Sequence, residues 1–417
     1  MQTSDARASL PRVAGEQSLQ LLLEGYPYGH RRFGRLGSDA FRTRLAGQPV
    51  LFLRGAEAAR FFYEGGRFDR TASLPPSVLR SLQDVGSVQT LAGPQHRARK
   101  ALFLDVLDES QRARMVDVFR DQWRRALPAW SAADRIVLHV EVAEVLTRTV
   151  CEWAGIPLTD REARSRTDEF LAMIDGAGSF GPRNWWGLLR RSRTERWARN
   201  VLKDVAPKSE TVVGRLRQHR DADGSTLDLE TAGVELLNLL RPTVAVGRFI
   251  VFAALALHRH PEWERTFREA DYRELRGFVQ EVRRCAPFFP LVGGRATQDL
   301  QWHGSSVPSR SWVMLDIFAT NRDDRLWADP MQFIPERHRG TSLHGNALIA
   351  QGAGDYADGH RCPGEPATID LVEEAVRLMT SEMAYRVPSQ DLGIDLRRLP
   401  TLPASGFELT DISTRQR

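Results

Sequence analysis

The stretch from Gly359 to Glu365 reads GHRCPGE and sets a cysteine, Cys362, between a glycine-rich loop and a run with helical periodicity. Pro363 suits the first turn of a helix, where its missing N–H would have no partner in any case. The N-terminus of a helix lowers the pKa of a thiol, and the thiolate is the form in which cysteine ligates a metal. Taken alone, the stretch is more typical of an ordinary loop cysteine, so its meaning depends on the rest of the chain.

Two other motifs precede this loop in the chain. Glu281 and Arg284 stand three residues apart in a helical pattern and therefore share one face of the helix. The run DPMQFIPER from Asp329 to Arg337 adds an arginine after a turn bounded by prolines. Taken singly, the first motif is typical of an exposed ion pair, which contributes little to stability. The three motifs in this order are far more specific than any one of them.

The composition is typical of a globular protein with a solvated surface. The chain has 417 residues, 42% of them hydrophobic, which is enough for a sizeable core. Its formal charge of +5 is spread over mixed acidic and basic residues, so we expect no nucleic-acid binding. The longest apolar run, Val234–Leu257, contains charged residues and a proline, and we expect no membrane span. The N-terminus lacks a signal-peptide pattern, which favours a cytoplasmic location.

The chain contains three cysteines, Cys151, Cys285 and Cys362. An odd and small number argues against a disulfide framework and fits a reducing compartment. Cys151 and Cys285 lie within apolar helical patterns, so we expect them to be inert thiols in the core. Cys362 is thus the cysteine with a candidate role as a ligand.

Helical periodicity dominates the chain, and strand-like segments are few. The spacing predicts helices over residues 95–107, 141–153, 271–285 and 368–383. It predicts strands over 49–53 and 311–318, with shorter fragments at 385–388 and 406–409. The irregular stretch from Asn321 to Asp358 is long enough that we expect it to be functional or tied down by other elements. The fold is therefore predicted to be mainly α with a small β portion, in one domain over residues 1–417.

The ordered set of motifs resembles cytochrome P450, which has a Glu-x-x-Arg helix, a proline-bounded stretch with an arginine, and then a cysteine loop before a long helix. The resemblance implies a cytochrome P450 fold that binds haem b, with Cys362 as the ligand of its iron. It also implies that Glu281, Arg284 and Arg337 form a buried network, which must be fully paired to be tolerated. One departure is that Gln351–Gly354 stands where most members begin the loop with phenylalanine.

An arginine interrupts the apolar helical pattern from Leu239 to Val246. The helix is apolar on nearly all sides, which indicates burial, and a buried arginine is rare unless it pairs with an anion. No acidic residue lies three or four positions from Arg241. Pro242 should kink the helix, because its ring clashes with the carbonyl of Asn238. The alternative is an arginine at a helix start, with Pro242 opening a new helix.

Arg241 and Pro242 occupy the place at which most cytochromes P450 carry an acidic residue and an alcohol for proton delivery. This feature resembles the fatty-acid peroxygenase branch of the family, as do the segments 22–26, 55–59, 279–284 and 402–407. The resemblance implies that Arg241, beside Pro242, holds the carboxylate of a long-chain fatty acid, which then acts as the acid–base group. It also implies hydrogen peroxide as oxidant and no obligatory redox partner. A guanidinium suits this role because it binds carboxylate bidentately.

The resemblance also assigns residues to the haem and to the substrate pocket. Arg70, His96, Lys100 and Arg361 are expected at the haem, the first three of them at its propionates. Taken without the family, His96, Arg99 and Lys100 form one face of a helix that is expected to be solvated. Besides Arg241, the expected pocket residues are Gln83, Gln89, Phe288, Phe289 and Leu291.

Several pocket positions bear on selectivity. Phe289 is bulkier than the glycine often found there and Gln83 replaces a common phenylalanine, so the preferred chain length stays open. Any one of Phe288, Phe289 and Leu291 is individually more typical of ordinary core. Gln89 matches a position that is often glutamine in hydroxylating members and histidine in decarboxylating ones, because histidine can donate a proton near neutral pH whereas an amide cannot. We therefore predict α/β-hydroxylation with some terminal alkene; the alternative is that Gln89 does not contact the substrate.

Other functions stay open on the sequence alone. One is a fatty-acid decarboxylase, and another is a conventional monooxygenase with a redox partner, against which the missing acid–alcohol pair speaks. A non-enzymatic haem carrier or sensor, or a haem-free interaction protein, is a further class. A buried arginine facing an apolar pocket would be costly for such a protein.

Overall fold

Helices make up most of the structure, as the periodicity predicts. The computed structural model describes residues 10–70, 73, 86–176, 181–204, 206, 210–340 and 345–415, so Gln83 lies outside the described residues. The helices are α1 (Ser18–Glu24), α2 (Pro27–Leu36), α3 (Ala56–Tyr63), α4 (Gly93–Val106), α5 (Glu109–Ala132), α6 (Leu138–Ala154), α7 (Asp160–Gly176), α8 (Pro182–Asp204), α9 (Val212–Gln218), α10 (Leu229–Ala245), α11 (Gly247–Arg259), α12 (Pro261–Arg268), α13 (Leu275–Cys285), α14 (Ile317–Thr320) and α15 (Glu365–Arg377). A 3₁₀ turn at Pro335–His338 and a π-helical turn at Leu378–Glu382 are also present. The mainly α fold class is confirmed.

The smaller β portion consists of short strands. They are β1 (Arg12–Glu16), β2 (Ala40–Leu45), β3 (Gln48–Leu53), β4 (Phe68–Asp69), β5 (Arg135–Val137), β6 (Leu291–Ala296), β7 (Leu300–Trp302), β8 (Ser305–Val307), β9 (Trp312–Asp316), β10 (Met383–Arg386) and β11 (Glu408–Thr414). The largest described sheet has the order β1-β2-β3-β9-β6-β4, and a second has the order β10-β11-β5. In the large sheet β3 pairs with β9 in parallel, with Val50 opposite Trp312, although the strands lie far apart in sequence.

The helices α10 and α11 form the apolar centre of the molecule. Together they span Leu229–Arg259, a length and composition that could cross a membrane, but 89% of the most apolar stretch is buried inside the fold. Pro242 lies inside α10, so the alternative in which it opens a new helix is wrong. The disturbance in the helix lies one turn later, where the N–H of Val246 bonds to the carbonyl of Thr243 at 3.2 Å and α10 gives way to α11.

The predicted elements differ from the observed ones at their ends. The predicted helix over 271–285 begins at Leu275, and the last long helix begins at Glu365, three residues before its predicted start at 368. The predicted strand over 311–318 stops at Asp316. The carboxylate of Asp316 accepts the N–H of Ala319 at 2.7 Å and caps the short helix α14, so the chain turns there.

Candidate functional site

Cys362 lies in the loop that leads into α15. Its N–H donates to the carbonyl of Gln351 at 3.0 Å, and its own carbonyl accepts the N–H of Glu365 at 3.2 Å. The carboxamide nitrogen of Gln351 lies 3.9 Å from the sulfur of Cys362. Gln351 therefore holds the cysteine through both its backbone carbonyl and its side chain. Cys362 precedes the first residue of α15 by three positions.

The thiol of Cys362 does not have the lowered pKa that its position near a helix start suggested. Burial raises the pKa of Cys362, and the backbone N–H of Gly364, with Lys100 and Arg283, opposes this effect only in part. The expectation was wrong for the bare thiol, because the sulfur is enclosed by the loop. A metal ion bound to the sulfur would supply the missing stabilisation, since a metal deprotonates the thiol that ligates it. Cys151 is buried in the core, where burial raises its pKa to about 12. Cys285, expected in the core, is half-buried, and its sulfur accepts from Arg284 at 3.2 Å; burial raises its pKa to about 11.

Glu365 clamps the cysteine loop to the core. Its carboxylate accepts from Arg361 Nε at 2.7 Å and from the hydroxyl of Tyr356 at 2.7 Å, and it pairs with the buried Arg283. Arg283 in turn donates to the side chain of Gln351 at 3.2 Å. This clamp was not predicted from the sequence. The available signal was an acidic residue, Glu365, three positions after the cysteine, together with a second arginine, Arg283, within the Glu-x-x-Arg motif.

The predicted network of Glu281, Arg284 and Arg337 is present, and all its members are paired. Glu281 accepts from Arg284 at 2.7 Å and from Arg337 at 3.2 Å, and a nitrogen of His338 lies 2.9 Å from its second oxygen. Arg284 also donates to three backbone carbonyls between Asn321 and Gln332. The network thus ties the irregular stretch before the cysteine loop to α13, as was expected for a loop of that length.

Replacing Glu281 with alanine should lower the free energy of unfolding by roughly 3–5 kcal/mol, because Arg284 would stay buried without its carboxylate. Chemical denaturation of the purified protein measures this loss. Burial acts to raise the pKa of Glu281, but hydrogen bonds from Arg284 and His338 hold it at about 2. A carboxylate with a lowered pKa stabilises the fold fully above its usual value of 4.5 and loses that effect as the pH falls towards 2. The difference between parent and variant should therefore shrink only below about pH 4.5.

Arg339→Gln is the matched control, because Arg339 is 59% exposed and pairs with Glu274 nearby at 2.6 Å. Its loss should be less than about 1 kcal/mol. A loss for Glu281→Ala as small as that of the control would contradict a supporting role for the network.

A second cluster gathers cationic and imidazole side chains beside the cysteine loop. Its members are Arg70, His96, Lys100 and His360, and the rings of His96 and His360 lie 4.1 Å apart. Lys100 Nζ donates to the carbonyl of Gly359 at 2.7 Å, and Arg70 donates to the carbonyl of Gly293 at 2.8 Å. The solvated-face alternative for α4 is wrong, since His96, Arg99 and Lys100 are all buried.

The charged forms of this cluster are disfavoured. Burial lowers the pKa of Lys100 to about 8 and that of His96 to about 4, and neighbouring cations add to the effect on His96. The pKa of His360 is lowered to about 2 by burial and by Arg70, His96 and Lys100. Anions placed here would offset both the cost of burying the positive charges and the repulsion between them. The two propionate carboxylates of haem are such anions, so the cluster fits this cofactor beside Cys362.

Arg361 lies at the edge of the cluster. Its guanidinium bonds to Glu365 and lies over the ring of Tyr356 at 4.2 Å. Its role as a haem contact stays a prediction.

Arg241 is buried in α10, with 4% of its surface exposed. Its guanidinium donates to the side-chain oxygen of Asn238 at 3.1 Å. Burial lowers its pKa to about 9, and the positive charge of Arg191 on α8 adds to this, while Glu195 opposes it. A guanidinium whose charged form is disfavoured in this way gains most from an added carboxylate.

The remaining predicted pocket residues occupy two places. Gln89 is half-buried in the turn that precedes α4, next to the buried Val88. Phe288 is half-buried and stacks on Phe249 of α11 at 4.7 Å, whereas Phe289 is 42% exposed. Leu291 is half-buried at the start of β6. Contacts of these residues with a substrate stay predictions, and Gln83 falls outside the described residues.

Comparison with known proteins agrees with this geometry. The family model for cytochrome P450 matches residues 270–366, which contain the Glu281 network and Cys362. Cytochrome P450 BJ-3 of Bradyrhizobium diazoefficiens is 28% identical over 300 residues, 66% of this chain and 66% of that protein. The chain thus spans just under two thirds of the length of this curated relative.

Solved structures match over nearly the whole chain. Cytochrome P450SP alpha in complex with (R)-ibuprophen is 39% identical, with a TM-score of 0.93 and coverage of 96% of this chain and 99% of that one. Cytochrome P450EX alpha with myristic acid is 35% identical, with a TM-score of 0.93 and coverage of 98% and 100%.

The fold, the cysteine loop and these similarities define a haem-thiolate oxidoreductase whose cofactor is haem b. The chain belongs to the cytochrome P450 family, in its fatty-acid peroxygenase branch.

Proposed function

We propose that this protein oxidises long-chain fatty acids with hydrogen peroxide at the α or β carbon, and that hydroxylation is the main outcome. The observation that carries the proposal is Arg241, a buried guanidinium in the middle of an apolar helix whose charged form is disfavoured by burial. A carboxylate is the anion that matches a guanidinium in shape and charge. The ligands in two related structures, myristic acid and (R)-ibuprophen, are both carboxylic acids, which supports the same chemistry here.

Arg241 orients the substrate and leaves its carboxylate next to the reacting end of the chain. In this arrangement the substrate's carboxylate takes a proton from peroxide and returns it, which is the role of an acid–base group within hydrogen-bond reach. The described part of α10 around Arg241 offers no carboxylate at the neighbouring turns, where Leu237, Asn238, Val244 and Ala245 stand. The substrate therefore brings a carboxylate to a part of α10 whose neighbouring turns offer none to Arg241.

When bound, haem would supply the oxidising chemistry, and Cys362 would hold its iron through the thiolate sulfur. The overall reaction converts R–H and H₂O₂ to R–OH and water, so no external electrons are needed and no redox partner is required. The hydrocarbon tail is held by burial, which contributes about 0.8 kcal/mol per methylene at most. We assign Phe288 and Leu291, both half-buried, to that burial.

The test is turnover of myristate by the haem-loaded protein with hydrogen peroxide and no electron donor, with the products separated by gas chromatography and mass spectrometry. Hydroxymyristate is the expected main product. Methyl myristate is the matched control and should be a poor substrate, because an ester cannot pair with Arg241 as an anion. Equal turnover of acid and ester would overturn the proposal, and a strict need for an electron donor would instead indicate a conventional monooxygenase.

Gln89→His should raise the share of terminal alkene among the products. Histidine donates a proton near neutral pH and the carboxamide of Gln89 does not, so the variant changes the acid–base properties beside the substrate's carboxyl group. The alkene forms when R–CH₂–CH₂–COOH and H₂O₂ give R–CH=CH₂, CO₂ and two waters. Gas chromatography of products from parent and variant measures the ratio. Alkene as the main product of the parent would refute the hydroxylase assignment, and an unchanged ratio in the variant would show that Gln89 does not control it.

A further inference from the structure

A buried chain of hydrogen bonds runs along α10 and includes Arg241. Glu235, Asn238 and Arg241 are spaced three residues apart, so each side chain meets the next on the neighbouring turn. Asn238 Nδ2 donates to Glu235 Oε2 at 2.9 Å, and Asn238 Oδ1 accepts from Arg241 Nη2 at 3.1 Å. All three side chains are buried.

The chemistry of the end groups fixes the orientation of Asn238 between them. The carboxylate of Glu235 accepts hydrogen bonds from two donors on other elements, the backbone N–H of Val88 and the guanidinium of Arg99. The guanidinium of Arg241 can only donate. The amide NH₂ must therefore face Glu235, and the amide oxygen must face Arg241. An asparagine satisfies both neighbours and adds no charge beside the guanidinium.

Glu235 extends the chain beyond the helix. Its Oε1 accepts the backbone N–H of Val88 at 2.8 Å and Nη1 of Arg99 at 2.6 Å. Val88 directly precedes Gln89, and Arg99 lies on α4 between His96 and Lys100 in sequence. One buried carboxylate thus ties together α10, the Gln89 turn and the helix of the cation cluster.

We propose that Asn238, oriented by Glu235, is a positioning residue for the carboxylate of the substrate. It holds the guanidinium of Arg241 in one place. Through Glu235, it also fixes the position of that guanidinium relative to the Gln89 turn. A neutral side chain suits this position, because an aspartate would itself pair with Arg241 and compete with the fatty acid. The inference rests on the proposed function, in which Arg241 binds that carboxylate.

The test compares two ligands in haem-loaded variants. Myristate is followed by its spectral shift and depends on Arg241, whereas imidazole ligates the iron directly and does not. Asn238→Leu should weaken myristate binding about tenfold, the effect of one hydrogen bond to a charged group, and leave imidazole binding unchanged. Asn238→Asp should weaken myristate binding more strongly, because the new carboxylate pairs with Arg241. If Asn238→Leu fails to load haem, the result for Asn238→Asp tests the positioning role instead.

Thr147→Val is the matched control, because Thr147 is a buried polar side chain of α6 that donates within its own helix, to the carbonyl of Ala143 at 2.8 Å. It should change neither dissociation constant. If the Asn238 variants keep the parent's ratio of the two constants while Arg241→Ala loses myristate binding, the positioning role is overturned and the proposed function stands. If Arg241→Ala also keeps myristate binding, the proposed function itself fails. Equal weakening of both ligands would show a general loss of structure and would also overturn the positioning role.

Discussion

Arg241→Ala should lower kcat/KM for peroxide-driven oxidation of myristate by roughly 100-fold or more, which is the usual contribution of a positioned acid–base group. The variant removes the cation that holds the substrate's carboxylate, so both the anchor and the proton-transfer group are lost together. Because Arg241 is buried and bonded to Asn238, the variant also leaves that amide without one partner. Steady-state kinetics with product analysis measures the effect, and the spectrum of the haem-loaded variant shows that the site is otherwise intact.

Short carboxylic acids separate the two roles of Arg241, which are to anchor the substrate and to hold the carboxylate that transfers the proton. In the parent, acetate or a slightly longer acid should enter with a non-acid substrate such as an alkylbenzene, occupy Arg241 and promote its oxidation. In Arg241→Ala the same acid should have no effect, because nothing retains it. Promotion of equal size in parent and variant would contradict the carboxylate-holding role.

Cys362→Ala should abolish the thiolate-type carbon monoxide band of the reduced protein and all peroxygenase turnover. We propose that the sulfur of Cys362 would ligate the haem iron, and alanine offers no donor in its place. Cys151→Ala is the matched control, since Cys151 is a buried core thiol in α6 whose pKa is raised by burial to about 12. The control should keep both the band and the activity. A surviving thiolate-type band in Cys362→Ala would show that another residue ligates the iron.

Much of the architecture could be predicted from the sequence, because the signals concerned are local. Helical periodicity located the central helices, and the order of the Glu281 motif, the Arg337 stretch and the cysteine loop indicated the family. The ends of elements were less predictable. The strand before α14 stops at Asp316 because the carboxylate of Asp316 caps that helix. The pattern of apolar residues in the sequence does not indicate this contact.

The contacts that hold the site together were mostly beyond prediction, because they join residues that are distant in the chain. Glu235 gives no sign in the sequence that it bonds to Val88 and Arg99, 147 and 136 residues away. The clamp between Arg283 and Glu365 spans 82 residues. The pKa of Cys362 was predicted in the wrong direction for a related reason: the helix start is local, whereas burial of the sulfur depends on how the whole loop packs.

The most direct test of the account is the fate of an oxygen label. Haem-loaded protein is given myristate and ¹⁸O-labelled hydrogen peroxide in ordinary water and air, without any electron donor, and the hydroxymyristate is examined by mass spectrometry. Peroxide-driven hydroxylation should place one ¹⁸O in the new hydroxyl group, and Arg241→Ala should lose this product. Unlabelled hydroxymyristate, or product that forms only when an electron donor is added, would contradict it.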